Sequence, residues 1–277
     1  DPEYLSGVYY LTPSMGLEKM LLSCQQVQKS ETVTLTFPEG YNVDQIASKL
    51  AKNKVCSETE FYKNLNEATF NYPFLKGMKN KSERYRALEG YLYPDTYEFY
   101  VGESASSVIR KFLDNFSKHW TSEYTARAKE LGMSVDEVVT LASIIQKEAG
   151  NTNQMATVSS IFHNRLNSPS FPSLQSDATN VYLNSYIKPN VTESQYDGYQ
   201  LLYSTYYCTG LPVGAISNPG PSAIKAALYP SSTNYYFFCH DDEGNMYTAS
   251  TEAQQSANLY KVALANAAAA DGSNTGT

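Results

Sequence analysis

Glu148 is the side chain whose place in this chain points most directly to chemistry. It closes the stretch Leu141-Ala-Ser-Ile-Ile-Gln-Lys-Glu148, which reads as the end of an apolar helix over 134–149. Ser134 and Glu137 have the Ser-x-x-Glu spacing of a capping box, in which each side chain satisfies a free backbone donor of the first turn. Val135, Val138, Val139, Ala142, Ile145 and Ala149 recur at helical spacing and form one apolar face. Gly150 is placed for a left-handed C-terminal cap. Glu148 then falls at the negative end of the helix dipole, where a carboxylate is disfavoured by roughly 0.3–1 kcal/mol. Dipole and burial both raise the pKa of such a group. A carboxylic acid that keeps its proton near neutral pH is what a general acid for glycosidic cleavage needs. The same spacing fits a solvated Glu beside Lys147, whose side chain points about 100° away around the helix.

The surrounding chain supplies the elements that must hold such a residue. Residues 32–37 alternate polar and apolar as a strand does, and Pro38-Glu-Gly40 makes a turn. Val43–Lys52 is a short amphipathic helix with Val43, Ile46, Ala47 and Leu50 on one face, and a second helix covers 58–65. The basic cluster at 76–86 reads as a solvated linker, and 88–99 as an extended segment or turn. Helices are predicted over 105–121, 122–131, 134–149 and 154–167. In the last, Met155, Val158, Ile161, Phe162 and Leu166 face the core, and His163 and Arg165 are expected in solvent. Residues 169–221 are rich in Pro, Gly, Ser, Asn and Tyr, and a loop-rich region of that length points to function. A helix at 221–228, a hairpin of strands 235–239 and 246–249 around Asp-Asp-Glu-Gly-Asn, and a helix over 251–270 complete the chain. The expected class is α+β: a small N-terminal module followed by a mostly helical domain with a short β-sheet.

Composition narrows the partners. With 277 residues there is room for two domains, and 42% hydrophobic against 18% charged residues indicates a globular chain. A net charge of -7 argues against nucleic acid and anionic membrane surfaces. The 24 Tyr suit sugar recognition, since the ring stacks on C–H groups while the hydroxyl finds polar partners; a β-rich extracellular surface fits them equally. No apolar run approaches the roughly 20 residues of a membrane-spanning helix, and no signal peptide is present, so an export signal or anchor is expected upstream. Cys24, Cys56, Cys208 and Cys239 form no C-x-x-C pair; disulfides Cys24–Cys56 and Cys208–Cys239 are open, as are four buried thiols. His119, His163 and His240 have no metal-ligand spacing, so no metal is expected.

An ordered set of motifs carries a resemblance. Phe37-Pro-Glu-Gly40 with Gln45-Ile-Ala and Leu50 comes first, then Leu88-Glu-Gly-Tyr-Leu-Tyr-Pro-Asp-Thr-Tyr97, then Ala142-Ser-Ile with Lys147-Glu148. Phe162-x-Asn164-Arg-Leu166, Leu174-Gln-Ser-Asp-Ala-Thr179, Ser204-Thr-Tyr206, Thr209-Gly-Leu-Pro212, Ile216-x-Asn218-Pro-Gly220, and Ala226 with Pro230 follow. In this order, from about 33 to 265, they resemble the YceG-like endolytic murein transglycosylases, the MltG family of bacterial cell-wall enzymes. The resemblance implies an entry segment over 1–30, a LysM-like subdomain over 31–86, a catalytic domain over 87–265 and a flexible tail over 266–277. It departs from the family at Ser204, where Asn is usual, and in the closing block, which lacks the usual Glu-His pair.

What the resemblance implies about activity is specific. Members cleave the β-1,4 bond between N-acetylmuramic acid and N-acetylglucosamine without water, leaving a 1,6-anhydro end that terminates the strand. One carboxylate suffices, as acid and then base, and Glu148 holds that position; a conventional glycosidase needs two. Asp177 is the strongest second carboxylate, or else a turn-forming Asp. Gln175 and Thr179 are expected as amide and hydroxyl partners of N-acetyl groups, with Thr205 and Tyr206 lining the same groove. Glu89 is open between the cleft and a cap on the Gly90 turn. No organic cofactor is expected. The implied partners are peptidoglycan glycan strands and peptidoglycan synthases, at the outer face of the bacterial cytoplasmic membrane, with the membrane reached only through an anchor. A non-catalytic glycan-binding or scaffold protein, and a hydrolase using Glu148 with Asp177, are the competing readings.

Overall fold

The structure, a computed structural model, describes residues 4–5, 9, 11, 15–25, 31–67 and 69–273. Positions 1–3, 6–8, 10, 12–14 and 26–30 of the expected entry segment, and 274–277 of the expected tail, lie outside them. After a short helix α1 (Leu17–Ser23), the N-terminal unit runs through β1 (Thr32–Thr36), α2 (Val43–Lys52), α3 (Glu58–Glu67), β2 (Thr96–Tyr100) and α4 (Ala105–His119). β1 pairs antiparallel with β2, from Thr32 opposite Tyr100 to Thr36 opposite Thr96. The sheet of this unit is thus completed by a strand from beyond residue 86. Strand alternation turns Leu35 inward and leaves Thr34 and Thr36 outside. Beyond β1, Phe37 meets Phe112 of α4 edge to face at 5.0 Å. α2 begins in a full capping box of Asn42 and Gln45 and buries Val43, Ile46, Ala47 and Leu50, as its spacing predicts.

The second part contains α5 (Ser122–Glu130), α6 (Val135–Glu148), α7 (Met155–Leu166), α8 (Asp177–Tyr182), α9 (Glu193–Tyr203), α10 (Pro221–Leu228), the antiparallel hairpin β3 (Phe237–His240) and β4 (Met246–Ala249), and α11 (Glu252–Ser273). α6 is the axis of this part. Its capping box forms: the Ser134 hydroxyl accepts from Glu137 N–H at 3.2 Å, and Glu137 accepts from Ser134 N–H at 2.7 Å. Every residue from Val138 to Ile145 is buried, so the helix is enclosed on all sides rather than on one face. α10, α7 and α8 pack against it.

Several expectations change. Gly150 is not left-handed; α6 ends at Glu148, Ala149 is extended at φ −74° and ψ 129°, and Gly150 N–H donates to Gln154 Oε1 at 2.9 Å. The next helical turn, over Thr152–Gln154, comes too soon for a left-handed cap. The loop-rich stretch contains α8 and α9, the latter started by a capping box of Thr192 and Gln195 that its Tyr-rich composition hides. The basic cluster is not wholly solvated: Arg84 pairs with Asp136 in the interior, and Arg86 pairs with Asp44 at 2.7 Å. His163 is half-buried with its Nε2 2.8 Å from Ala227 O. Of the alternatives left open for the four cysteines, the structure has free thiols: Cys56 is buried in the core of the N-terminal unit and the others are half-buried. Among the described residues no helix is long and apolar enough to cross a membrane.

Candidate active site

A cleft of about 470 Å³ opens beside the C-terminal end of α6. Glu148, the segment from Leu174 to Asp177, and Tyr206 line one side. Residues Tyr236 to His240, with Gln255 and Leu259 of α11, line the other, and α7 contributes Phe162 and Arg165. Phe162, Tyr206, Tyr236, Phe237 and Phe238 make the lining aromatic, and its carboxylates are Glu148 and Asp177.

The seat of Glu148 is built from hydrogen bonds that a sequence does not display. The Ser176 hydroxyl donates to Glu148 Oε1, and Ala178 N–H donates to the same oxygen at 3.2 Å. Two threonines hold Ser176 in turn. Ser176 N–H donates to Thr205 Oγ1 at 2.8 Å, the Thr179 hydroxyl donates to Ser176 O at 2.8 Å, and Gln175 N–H donates to Thr205 O at 3.0 Å. Both threonines have 0% exposure. Their expected role as substrate contacts is therefore corrected: each hydroxyl satisfies buried backbone groups behind the seat, where an unmet polar group would cost about 1–3 kcal/mol.

Asp177 and Tyr206 do face the cleft. The Tyr206 hydroxyl donates to Asp177 Oδ1 at 2.8 Å. Partial burial, reinforced by the bond to Asp177 and the nearby negative charge, pushes the Tyr206 phenol up to about 12. The phenol is a proton-bearing donor at physiological pH. Gln175 is exposed at the cleft in a left-handed conformation, φ 53°, and its Oε1 accepts from Arg165 Nη1 at 3.0 Å. Ser204, where the resemblance leads one to expect Asn, is buried and donates to Asn180 Oδ1 at 2.8 Å, so it braces α8 rather than facing the cleft.

Glu89 is in neither of its expected places. It is 1% exposed and lies outside the cleft, with its carboxylate over the start of α2. Val43 N–H donates to Oε2 at 3.0 Å, Tyr182 OH to Oε2 at 3.1 Å, and Asn218 Nδ2 to Oε1 at 2.9 Å. Burial pushes its carboxyl up to about 8. Asn218, also 1% exposed, accepts from Gly90 N–H at 3.0 Å and Leu92 N–H at 2.8 Å. Asn218 thereby turns this segment inward and carries Glu89 with it. Gly90 itself needs φ +94°, a conformation that glycine adopts at little cost.

Of the predicted residues, the structure brings together Glu148, Gln175, Asp177 and Tyr206, and leaves Glu89, Thr179 and Thr205 behind the surface. Sequence reasoning missed Ser176, Arg165 and His240. Arg165 is 6% exposed rather than solvated. His240 Nε2 lies 2.9 Å from Gln154 Oε1, and Gln154 Nε2 donates to Gly244 O at 2.9 Å, which fastens the hairpin to the turn after α6. The period of two in the hairpin was a usable signal, since Phe238 and His240 share a strand face. Among the described residues no three His, Cys, Asp or Glu side chains converge as a metal-binding group.

The chain is 30% identical over 279 residues to the endolytic murein transglycosylase of Streptococcus pneumoniae serotype 2, covering 92% of this chain and 50% of that protein. It is 28% identical over 256 residues to the protein of that name from Bacillus subtilis, covering 88% of this chain and 69% of that one. The chain thus spans half the length of its pneumococcal relative. A solved yceG-like protein of Listeria monocytogenes superposes with a TM-score of 0.67 at 28% identity, over 91% of this chain and 84% of that one. The profile of the YceG-like family matches residues 2–261, and the chain belongs to that family.

Proposed function

We propose that this chain cleaves peptidoglycan glycan strands within their length, as a non-hydrolytic transglycosylase with Glu148 as its acid and base. The observation that carries this reading is the seat of Glu148. One half-buried carboxyl is fixed through Oε1 by Ser176 and Ala178, at the edge of an aromatic-walled cleft, with Oε2 left for proton transfer. Glu148 donates its proton to the N-acetylglucosamine oxygen as the bond from C1 of N-acetylmuramic acid breaks. The muramic acid 6-hydroxyl oxygen then closes on C1, and its proton passes to the Glu148 carboxylate. No water is consumed, the acid is regenerated and the strand ends in a 1,6-anhydro sugar, which cannot be extended at that end. Tyr206 and the aromatic wall stack on sugar rings, and Gln175 offers its amide to an N-acetyl group.

Asp177, on the same side of the cleft, supports a second reading as a two-carboxylate hydrolase. Its Oδ1 is occupied by Tyr206, which favours the lone-acid mechanism. Mass analysis of fragments released from purified peptidoglycan separates the two, because an anhydro end is lighter than a reducing end by one water. The expected products are anhydro fragments, and Glu148→Gln removes them. Reducing ends would establish the hydrolase instead, and a fully active Glu148→Gln enzyme would end both readings.

The substrate implies a position on the outer side of the cytoplasmic membrane, beside the synthases that make the strands. Relatives named for murein cleavage support that placement.

A further inference from the structure

Arg165 is the cation of the cleft, and its environment is unusual for a buried arginine. Nε donates to Tyr236 O at 2.7 Å, and Nη1 donates to Ser173 O at 3.2 Å and Gln175 Oε1 at 3.0 Å. The rings of Phe171 and Phe237 flank the guanidinium at 5.3 and 5.1 Å. Among the described residues no carboxylate pairs with it. The other deeply buried arginine, Arg84, has Asp136. Arg165 Nη2 has no protein partner among the described residues, and it is not sealed away from the cleft. Burial pulls the guanidinium below its ordinary value, the direction expected of a cation that lacks a counter-ion. Holding such a charge is costly unless an anion offsets it.

We propose that Arg165 Nη2 is an anion-recognition donor in the cleft, where it binds a carboxylate of the glycan substrate. The proposal rests on the glycan-cleaving reading and adds a selection rule to it. Two carboxylates have the required chemistry: the lactyl group of muramic acid freed of its peptide, and a carboxylate within an attached stem peptide. Nε and Nη1 hold the guanidinium plane against the aromatic rings, so Nη2 is presented without a further loss of side-chain freedom. A neutral amide would make a weaker bond to the same donor.

The test uses the Glu148→Gln protein, which binds without turnover, and three probes. These are the N-acetylglucosamine–N-acetylmuramic acid disaccharide as the free acid, its lactyl methylamide, and the disaccharide bearing a stem peptide. One of the two carboxylate probes should bind about tenfold more tightly than the methylamide, and which one does so identifies the source. Adding Arg165→Gln should remove that preference, weakening the preferred probe about tenfold more than the methylamide, while Arg165→Lys should keep part of it. Salt should weaken the preferred probe more than the methylamide, a readout that needs no variant. Equal binding of all three probes to the parent overturns the proposal, as does an Arg165→Gln protein that loses all three alike. If the unaltered chain cleaves peptidoglycan but shows no carboxylate preference, only the Arg165 assignment fails. If it neither cleaves nor binds any probe, the glycan reading fails first.

Discussion

The Ser176 hydroxyl donates a hydrogen bond to Glu148, and leaving a buried polar group without its partner costs about 1–3 kcal/mol. If that bond orients the acid, Ser176→Ala should slow strand cleavage by roughly ten- to a hundredfold while lowering the thermal midpoint by about 2–4 °C per kcal/mol of bond lost. An unchanged rate would show that Ala178 N–H alone suffices. Asp177→Asn should be mild by comparison and should still yield anhydro products, because the Asp177 carboxylate is engaged in receiving the Tyr206 hydroxyl. The place of Glu148 on α6 was legible because the capping box fixes the start of the helix and the apolar spacing carries it that far. Ser176 was not, because a serine in a Gln-Ser-Asp turn looks the same whether its hydroxyl meets water or a carboxyl 28 positions upstream. Arg165 was misread for a related reason: helical phase placed it off the core line, and the hairpin that covers it arrives 71 residues later.

At the scale of elements, α6 shows both what a local code specifies and where it stops. The Ser134–Glu137 box is written within four residues and forms as written. Ser134→Ala should therefore cost about 1 kcal/mol, measurable by urea unfolding, without touching the cleft. The end of α6 is set by the turn at Thr152–Gln154, so Gly150 misled and Gln154 decided. Gly90 is the reverse case, a position governed by distant packing. A Cβ there would lie 2.6 Å from Val139 Cγ1 and 2.7 Å from Ala215 Cβ, in a backbone conformation unfavourable to L-residues. Gly90→Ala should destabilise by about 1–3 kcal/mol or more, and each kcal/mol lowers the thermal midpoint by about 2–4 °C in a chain of this size.

Across the whole molecule, the N-terminal unit and the helical part meet at Glu89 and Asn218. Glu89 is held near 8 when folded, against 4.5 as its ordinary value. Between those values the folded chain keeps a proton that the unfolded chain releases. The stabilising contribution is present in full below the ordinary value and is lost as pH rises through about 8. Glu89→Gln, which cannot ionise, should flatten the slope. The stability of wild type relative to the variant should fall from pH 5 to pH 9 in thermal melts, and a constant difference would show that burial does not retain the proton. The sequence showed that Glu89 sits in a Gly-containing turn, but not that α2 and Tyr182 would close over it.

The two-sided cleft also orders events during synthesis. α6, with Glu148 at its end, is complete long before Ser176 and Thr205 are made, and the wall from β3 and α11 follows them. Contacts so distant along the chain are slow to form, because a long loop must close before they offset its entropy. A nascent chain stopped before β3 would carry the acid and its seat but only one face to hold a sugar strand. In the proposed mechanism, the face that holds the sugar strand is therefore added to the acid only once β3 and α11 have been made.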